Sequence, residues 1–324
     1  MASTVTTSVP SSKRTRTFVE KMRDGDQVAH LITLIFAASV FLITVLLVYA
    51  LWIRCGPSRS KFGLAFFFTQ TWDPNADQFG ALPFIYGTLV TSFVALLIAV
   101  PLGVGAAIYL AELASPRWSR IFTFLIELLA AVPSVIFGLL AIFTIVPLMR
   151  DYVEPGVQKV FGYLPIFSGP IYGVGFLSAS ITLAVMIFPF IISISRESLI
   201  AVPREQREAA LALGATKWES TYQVVLPYAR LGIFGSIFLA LARALGETMA
   251  VTMVIGNTPK ISPSLFATGY SIAAVIANEF TEATGDMYLS ALVELGLVLF
   301  FLTMIMNAAA QLMIVATAGK GTKH

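Results

Sequence analysis

Two oppositely charged side chains lie four residues apart inside an apolar stretch of this 324-residue chain. Arg243 and Glu247 belong to the run Leu231–Pro259, and Arg243 follows Leu231 by twelve residues. On a helix that separation is about 18 Å, which is near the middle of a hydrocarbon core roughly 30 Å thick. A charge at that depth is costly unless it is paired or hydrated, so both residues are candidates for function.

The chemistry that Arg243 offers is recognition of a tetrahedral oxyanion, because its planar guanidinium presents parallel donors. On a continuous helix Glu247 shares a face with Arg243, one turn away. It could hold the arginine while no solute is bound, or accept a hydrogen bond from a protonated oxyanion. Thr248 and the small residues around the pair complete the predicted substrate pathway. The alternative is a structural Arg–Glu pair that neutralises itself and pins two helices together.

Four further residues in apolar runs have either a pathway role or a structural one: Glu127, Pro133, Ser134 and Glu294. Glu127 lies six residues into the run Ile121–Met149, where an interfacial or interhelix role is at least as reasonable. Pro133, followed by Ser134, is expected to kink that helix and free a carbonyl group. Such breaks can line a cavity.

A polar segment of twenty residues, Glu208–Pro227, separates two apolar runs. Gly214 accepts the left-handed conformation in which many helices end. Thr216 and Glu219 have the spacing of a capping box, which starts a second short helix, and Pro227 is expected to end it. The segment is therefore predicted to form a rigid helix–glycine–helix knob for docking. The alternative is an amphipathic loop that lies on the bilayer surface.

The composition defines the class of protein that positions these residues. Hydrophobic residues make up 57% of the chain and charged residues 12%, whereas a soluble protein carries about 25% charge. A span needs about 20 apolar residues. We therefore predict an all-α, polytopic membrane protein with six transmembrane helices: Leu31–Ile53, Phe84–Ala111, Ile121–Met149, Gly173–Ser195, Leu231–Pro259 and Met287–Ala318.

The distribution of lysine and arginine predicts the orientation of these spans. With the N-terminus inside, the cytoplasmic segments carry fourteen of these residues and the outer loops carry six. Both termini and the loop 196–230, which contains the polar segment, are then cytoplasmic. We expect residues 1–27 to be a disordered tail, residues 28–318 to be the transmembrane domain, and residues 319–324 to be a short cytoplasmic tail.

Several kinds of chemistry lack their residues in this sequence. It contains no Gly-x4-Gly-Lys-Ser/Thr loop for ATP, no serine nucleophile elbow and no His-Glu-x-x-His motif. One cysteine and two histidines give neither an internal disulfide nor a metal site. A net charge of +3 requires no nucleic-acid partner. The chain is therefore predicted not to be an enzyme.

The polar segment resembles the EAA loop of ABC importer permeases, whose pattern is EAA-x3-G-x9-I-x-L-P. The matching residues are Glu208, Ala209, Ala210, Gly214, Leu226 and Pro227, with Val224 in place of isoleucine. The resemblance implies a type I, MetI-like permease fold whose loop docks into a cytoplasmic ATPase dimer. It also implies that ATP and Mg are bound by that partner, and that this chain binds no cofactor.

A narrower resemblance extends from the first span to the last. The segments ARALGETMAV around Arg243, ELLAAVPSVIFG around Pro133 and Trp72-Asp73-Pro74 are similar to the phosphate-specific branch of these permeases, most closely its PstC-type subunit. This resemblance implies that Arg243 and Glu247 take part in phosphate passage. The implied partners are a second, homologous permease of the PstA type, an extracytoplasmic phosphate-binding protein and membrane lipid.

The implied function is that of a permease subunit of an ATP-driven importer of inorganic phosphate in a bacterial inner membrane. ATP hydrolysis on the partner would drive alternating access. One alternative is the same machine for molybdate, sulfate or phosphonate. An alternative of another class is a passive anion channel without an ATPase.

Overall fold

A computed structural model describes the backbone of residues 26–318 and the side chains of residues 28–312. Within these residues the chain forms helices and no β-strand. Six of the helices are long and apolar enough to cross a membrane, which confirms the predicted all-α class and the predicted number of spans. The predictions for the tails concern residues 1–25 and 319–324, which lie outside the described residues.

The helices are numbered in chain order. They are α1 (Asp26–Arg54), α2 (Gly56–Phe62), α3 (Leu82–Leu113), α4 (Pro116–Ala130), α5 (Ser134–Phe161), α6 (Phe176–Ile200), α7 (Arg204–Ala212), α8 (Lys217–Leu245), α9 (Met249–Thr252), α10 (Ile272–Glu279) and α11 (Asp286–Ala318). The six of membrane length are α1, α3, α5, α6, α8 and α11. α1 lies mostly in a compact unit that ends at Ala50, and the other helices belong to a second unit that begins at Leu51.

α6 is the central helix of the second unit, with 67% of its apolar window buried. It packs against α3 and α8 through glycines. A Cβ at Gly103 of α3 would lie 2.7 Å from Cγ2 of Ile191, and a Cβ at Gly232 of α8 would lie 2.1 Å from Oγ of Ser198. Such close approach is typical of membrane helices, whose association depends on van der Waals packing rather than on the hydrophobic effect. α6 therefore supports both α3 and α8, and α8 carries Arg243.

The predicted bounds of the third span are wrong. α4 ends at Ala130, and α5 begins only at Ser134. Pro133 between them is extended, with ψ 142°, and a proline also disfavours the helical conformation of the residue before it. Pro133 therefore separates two helices instead of kinking one. α5 then continues past Met149 to Phe161 through two π-turns.

The predicted bounds of the fifth span are also wrong. α8 begins at Lys217 and ends at Leu245, well before Pro259, and the chain then turns through Gly246 into the short helix α9. α9 lies against Gly138 of α5, where an added Cβ would be 3.2 Å from Cα of Ala250. Ala250 and its neighbours share a buried cluster with residues midway along α3 and α6. The break is thus at mid-helix depth.

The segments at the opposite end of the helices from α7 form a packed aromatic layer. The ring of Trp72 contacts Phe79 and Phe84 at centroid distances of 4.9 and 4.8 Å. Its Nε1 donates to Glu279 at 2.9 Å, and the Tyr288 hydroxyl donates to the same carboxylate at 2.6 Å. The segments 54–83 and 260–286, which connect predicted spans on the predicted outer side, are therefore ordered against each other.

Candidate functional site

The polar segment folds as a helix, a glycine turn and the start of a second helix, as predicted. Gly214 follows α7 with φ +89°, a conformation that side chains other than glycine rarely adopt. Thr216 and Glu219 form a reciprocal capping box, with the Thr216 N–H donating to Glu219 Oε2 at 2.7 Å. These local contacts fix the angle between α7 and α8. We refer to residues 204–227 as the docking segment.

Pro227 does not end the second helix, so that prediction is wrong. Lys217–Ser220, the π-turn Thr221–Val225 and Leu226–Leu245 are continuous and form one helix, α8. A proline leaves the carbonyl one turn earlier without its usual donor, and the wider π-turn directly precedes Pro227. The docking segment is therefore continuous with a membrane helix, so a displacement of this segment also displaces the membrane-spanning part of α8.

The predicted docking residues lie at several places on the segment. Ala209, Ala210 and Gly214 line a groove of about 680 Å³ between α7 and the start of α8, which we call the docking groove. Glu208 lines the neighbouring surface on the other side of α7. Leu226 packs on the buried cluster beneath the segment, and Pro227 is exposed. The segment thus has a concave outer face of small residues and an apolar base.

Arg207 connects the docking segment to the ends of two membrane helices. Its Nη2 lies 2.9 Å from Oε1 of Glu112 in α3 and donates to the carbonyl oxygen of Leu199 in α6 at 2.6 Å. Its Nη1 donates to the carbonyl of Val202, which follows α6. Sequence reasoning missed this role, because Glu112 is 95 residues away. The adjacent Glu-Ala-Ala triplet was the only local signal.

Arg243 lies in the last turn of α8. Because α8 ends midway along the neighbouring helices α3 and α6, Arg243 is at the mid-helix depth expected from the sequence. Its Cζ is 4.4 Å from the ring centroid of Phe190, midway along α6. Its Nε is buried and has no hydrogen-bond partner among the described residues. The guanidinium is therefore placed on an aromatic face by cation–π attraction, with donor capacity left for an anion.

Glu247 does not share a helical face with Arg243, because Gly246 ends α8 between them. Its Oε1 accepts a hydrogen bond from the Ala250 N–H at 3.3 Å. Within the described part of the chain Glu247 forms no ion pair with Arg243. Thr248 immediately precedes α9, and its hydroxyl donates to the Gly246 carbonyl at 3.3 Å. The three predicted pathway residues thus surround one helix break, which sequence reasoning missed.

The four residues with undecided roles lie at separate places. Pro133 and Ser134 form the junction between α4 and α5. Glu127 is on the exposed face of α4 and lines a cleft with Arg196. Glu294 is 4% exposed in the contact between α11 and α2, where the Ser58 N–H donates to the Ser290 hydroxyl at 3.0 Å. Glu294 therefore belongs to a helix contact and not to the surroundings of Arg243.

The fold and these features define a class: a helical membrane transport subunit with a docking knob at one end and a charged helix break at its centre. A family described as "Binding-protein-dependent transport system inner membrane component" matches residues 99–316. The chain belongs to this family, in its branch of phosphate transport system permease proteins of the PstC type. It is thus a multi-pass membrane component of a transport system and is not itself catalytic.

Relatives from several organisms match most of the chain. The chain is 49% identical to the phosphate transport system permease protein PstC of Mesorhizobium japonicum, covering 79% of each chain. It is 46% identical to the protein of that name from Pasteurella multocida, covering 87% of this chain and 89% of the relative. It is 35% identical to the probable PstC of Methanocaldococcus jannaschii, covering 86% and 90%.

Solved structures confirm the type I, MetI-like fold. A chain of the inward-facing MetNI methionine ABC transporter is 17% identical with a TM-score of 0.53, covering 72% of this chain and 94% of that one. A chain of the bacterial alginate ABC transporter, in complex with an alginate-bound periplasmic protein, is 17% identical with a TM-score of 0.57, covering 92% and 96%. At these identities the likeness concerns the fold alone.

Proposed function

We propose that this chain is one permease subunit of an ATP-driven importer of inorganic phosphate, with Arg243 as the anion-binding residue of its pathway. The observation that carries the proposal is the Arg243 guanidinium, which lies on Phe190 at mid-helix depth with a buried, unpartnered Nε. The phosphate transport names of relatives at 46–49% identity support phosphate as the solute.

The docking segment and the family support the other parts of the proposed transporter. Two copies of an ATPase bind ATP and Mg, and one of them receives the docking segment of this chain. A second permease of the PstA type completes the pore, and an extracytoplasmic phosphate-binding protein delivers the solute to the outer aromatic layer. Both termini and the docking segment are on the cytoplasmic side of a bacterial inner membrane.

The mechanism uses the continuity of α8. Closure of the ATPases on ATP binding moves the docking segment, and Arg207 transmits that movement to the ends of α3 and α6. α8 carries it directly to the break at Gly246, where Arg243 and Glu247 face the solute. Alternating access then results from helices moving as rigid bodies around a site near the bilayer centre.

Uptake by the reconstituted complex tests this proposal. Proteoliposomes with the ATPase, both permeases and the binding protein should accumulate radiolabelled phosphate only with ATP, which separates an importer from a passive channel. Excess molybdate, sulfate or phosphonate should compete poorly, and strong competition by one of them would identify another oxyanion as the solute.

Arg243→Gln should lower phosphate uptake roughly 10- to 100-fold, because a hydrogen bond to a charged group contributes about 1.5–3 kcal/mol. Arg243→Lys should also be poor, since a point charge replaces a planar fork. The matched control is Arg230→Gln, the same change thirteen residues earlier in α8 and about 20 Å away along the helix axis, which should leave uptake near wild type. Wild-type uptake by Arg243→Gln would leave Arg243 with a structural role only.

A further inference from the structure

A second polar concavity lies near the docking end of the helices. It is a cleft of about 530 Å³ between α4 and the last turns of α6, which we call the α4–α6 cleft. Its polar lining consists of Ser119, Arg120, Thr123, Glu127 and Arg196. On α4, Ser119, Thr123 and Glu127 recur every four positions and Arg120 lies beside Ser119, so these residues share one helical face. A polar helix face is unusual in a chain with 57% hydrophobic residues, so its presence requires a physical explanation.

A chain of hydrogen bonds through α4 and α3 positions Arg196 in this cleft. Its Nη2 donates to the Ser119 hydroxyl at 3.2 Å, and that hydroxyl donates to the Leu110 carbonyl of α3 at 2.8 Å. Ser119 is 9% exposed. Three helices therefore position one guanidinium. The Arg196 Nε and the Thr123 hydroxyl are buried without hydrogen-bond partners among the described residues.

The charges of the cleft are not neutralised internally. It contains two arginines and one glutamate, and within the described part of the chain neither arginine forms an ion pair with a carboxylate. A positioned guanidinium without a counter-ion favours an anion, and its planar fork suits the oxygens of a phosphate group. Glu127 in the same lining can accept a hydrogen bond from a protonated phosphate oxygen.

We propose that the α4–α6 cleft is a second oxyanion site, in which Arg196 and Arg120 donate to a phosphate group and Glu127 accepts from it. The cleft is separate from Arg243: Phe190 precedes Arg196 by six residues on α6, about 9 Å of rise and a different helical face. The phosphate group belongs either to phosphate leaving the pathway or to the headgroup of an anionic lipid. Inorganic phosphate as the ligand rests on the proposed function, whereas the unneutralised arginines do not.

Equilibrium binding tests the first source. The full transporter complex is placed in phosphatidylcholine nanodiscs without binding protein, with nucleotide saturating the ATPases and with Arg243→Gln in every variant. Radiolabelled phosphate should still bind, and adding Arg196→Gln should weaken that binding at least about tenfold. Adding Arg117→Gln should not, because Arg117 is exposed on α4 and does not line the cleft. Arg120→Gln, at an exposed position, checks that a loss is not misfolding and should weaken binding too.

Native mass spectrometry tests the second source. The complex purified from membranes that contain phosphatidylglycerol should retain that lipid, lose it with Arg196→Gln and keep it with Arg117→Gln. Either result supports the site and identifies its source. If Arg196→Gln changes neither phosphate binding nor lipid retention, the cleft is not an oxyanion site. Because the proposed function is tested by uptake through Arg243, the two proposals fail independently.

Discussion

At the scale of single residues, Arg243 is stabilised by an aromatic ring and not by a carboxylate. The Phe190 ring lies 4.4 Å from its Cζ, and such a contact contributes about 0.5–2 kcal/mol. A partner carboxylate would occupy the same donors that an anion needs, whereas a ring face leaves them available. The guanidinium is therefore held in position without being neutralised by a carboxylate.

Glu247 has two potential roles, contact with the solute and support of the turn before α9. Its hydrogen bond with the backbone allows a mutation to separate these roles. Glu247→Gln keeps an acceptor for the Ala250 N–H, which is 3.3 Å away, so the turn and complex assembly should survive. We expect this variant to lose discrimination against sulfate by roughly tenfold, because an amide can donate to sulfate while a carboxylate cannot. Competition between labelled phosphate and sulfate measures the change. Unchanged discrimination would assign Glu247 to the turn alone.

Glu247→Ala provides the comparison. It removes the acceptor for the Ala250 N–H and should destabilise the start of α9 by about 1 kcal/mol, as other lost caps do. Reduced complex yield with Glu247→Ala but not with Glu247→Gln would confirm that the side chain supports the break.

At the scale of elements, the docking segment combines a turn that depends on glycine with an anchor that depends on arginine. Gly214 sets the angle between α7 and α8, and Arg207 ties α7 to the ends of α3 and α6. We expect the angle to control binding of the proposed ATPase partner and the anchor to control whether movement of that partner reaches the membrane helices. The two functions can therefore be separated by mutation.

Gly214→Ala should weaken ATPase association, because an L residue in the left-handed region is strained by about 1–2 kcal/mol. No atom lies within 4 Å of the added Cβ, so the effect is conformational. Gly235→Ala in α8 also adds a Cβ into open space, but in a helix, and should be neutral. Co-purification of the ATPase measures the difference in association between the two variants.

Gly214→Asp, which adds a charge to the docking groove, should abolish transport. Intact ATPase association in that variant would contradict docking at this segment.

Arg207→Gln should leave ATPase association near wild type while reducing ATP-dependent uptake by about tenfold. The expected cause is loss of the Glu112 contact and of the two carbonyl contacts at the end of α6. The ratio of phosphate transported to ATP hydrolysed measures coupling. Glu112→Gln, which lies outside the docking segment, should lower the same ratio in part. Normal coupling in both variants would show that the contact is only structural.

At the scale of the whole molecule, the chain has two differently built ends. The docking end is polar and exposed, whereas the opposite end is a buried aromatic layer joined by Glu279. Burial in that layer raises the pKa of Tyr270 to about 12, so this hydroxyl stays protonated at physiological pH. The exposed docking end is thus suited to a partner that moves, and the rigid aromatic layer is suited to a partner that binds to a fixed surface.

Cysteine labelling tests which end faces the cytoplasm. The native Cys55 is fully buried and can be replaced by serine. Lys260→Cys and Ser115→Cys both introduce thiols at exposed positions, at opposite ends of the helices. An impermeant thiol reagent applied to intact cells should modify Lys260→Cys and spare Ser115→Cys until the cells are permeabilised. The reverse pattern would invert the orientation proposed from lysine and arginine.

The sequence alone determined the features that depend on near neighbours. Apolar runs gave six spans, since a membrane requires length and hydrophobicity and little else. The Gly214 turn and the Thr216–Glu219 capping box followed from residue types three to five positions apart. The class of transporter followed from the same segment, because its anchors are also local in sequence.

The tertiary structure decided where apolar helices break and which distant side chains meet. Leu231–Pro259 is one apolar run in which only Arg243 and Glu247 are charged, so hydropathy could not show that Gly246 ends α8 and moves Glu247 off the face of Arg243. Arg207 and Glu112 are 95 residues apart, and Arg196 and Ser119 are 77 apart. Such pairs are created by packing of whole helices around α6, and local propensity carries no information about that packing.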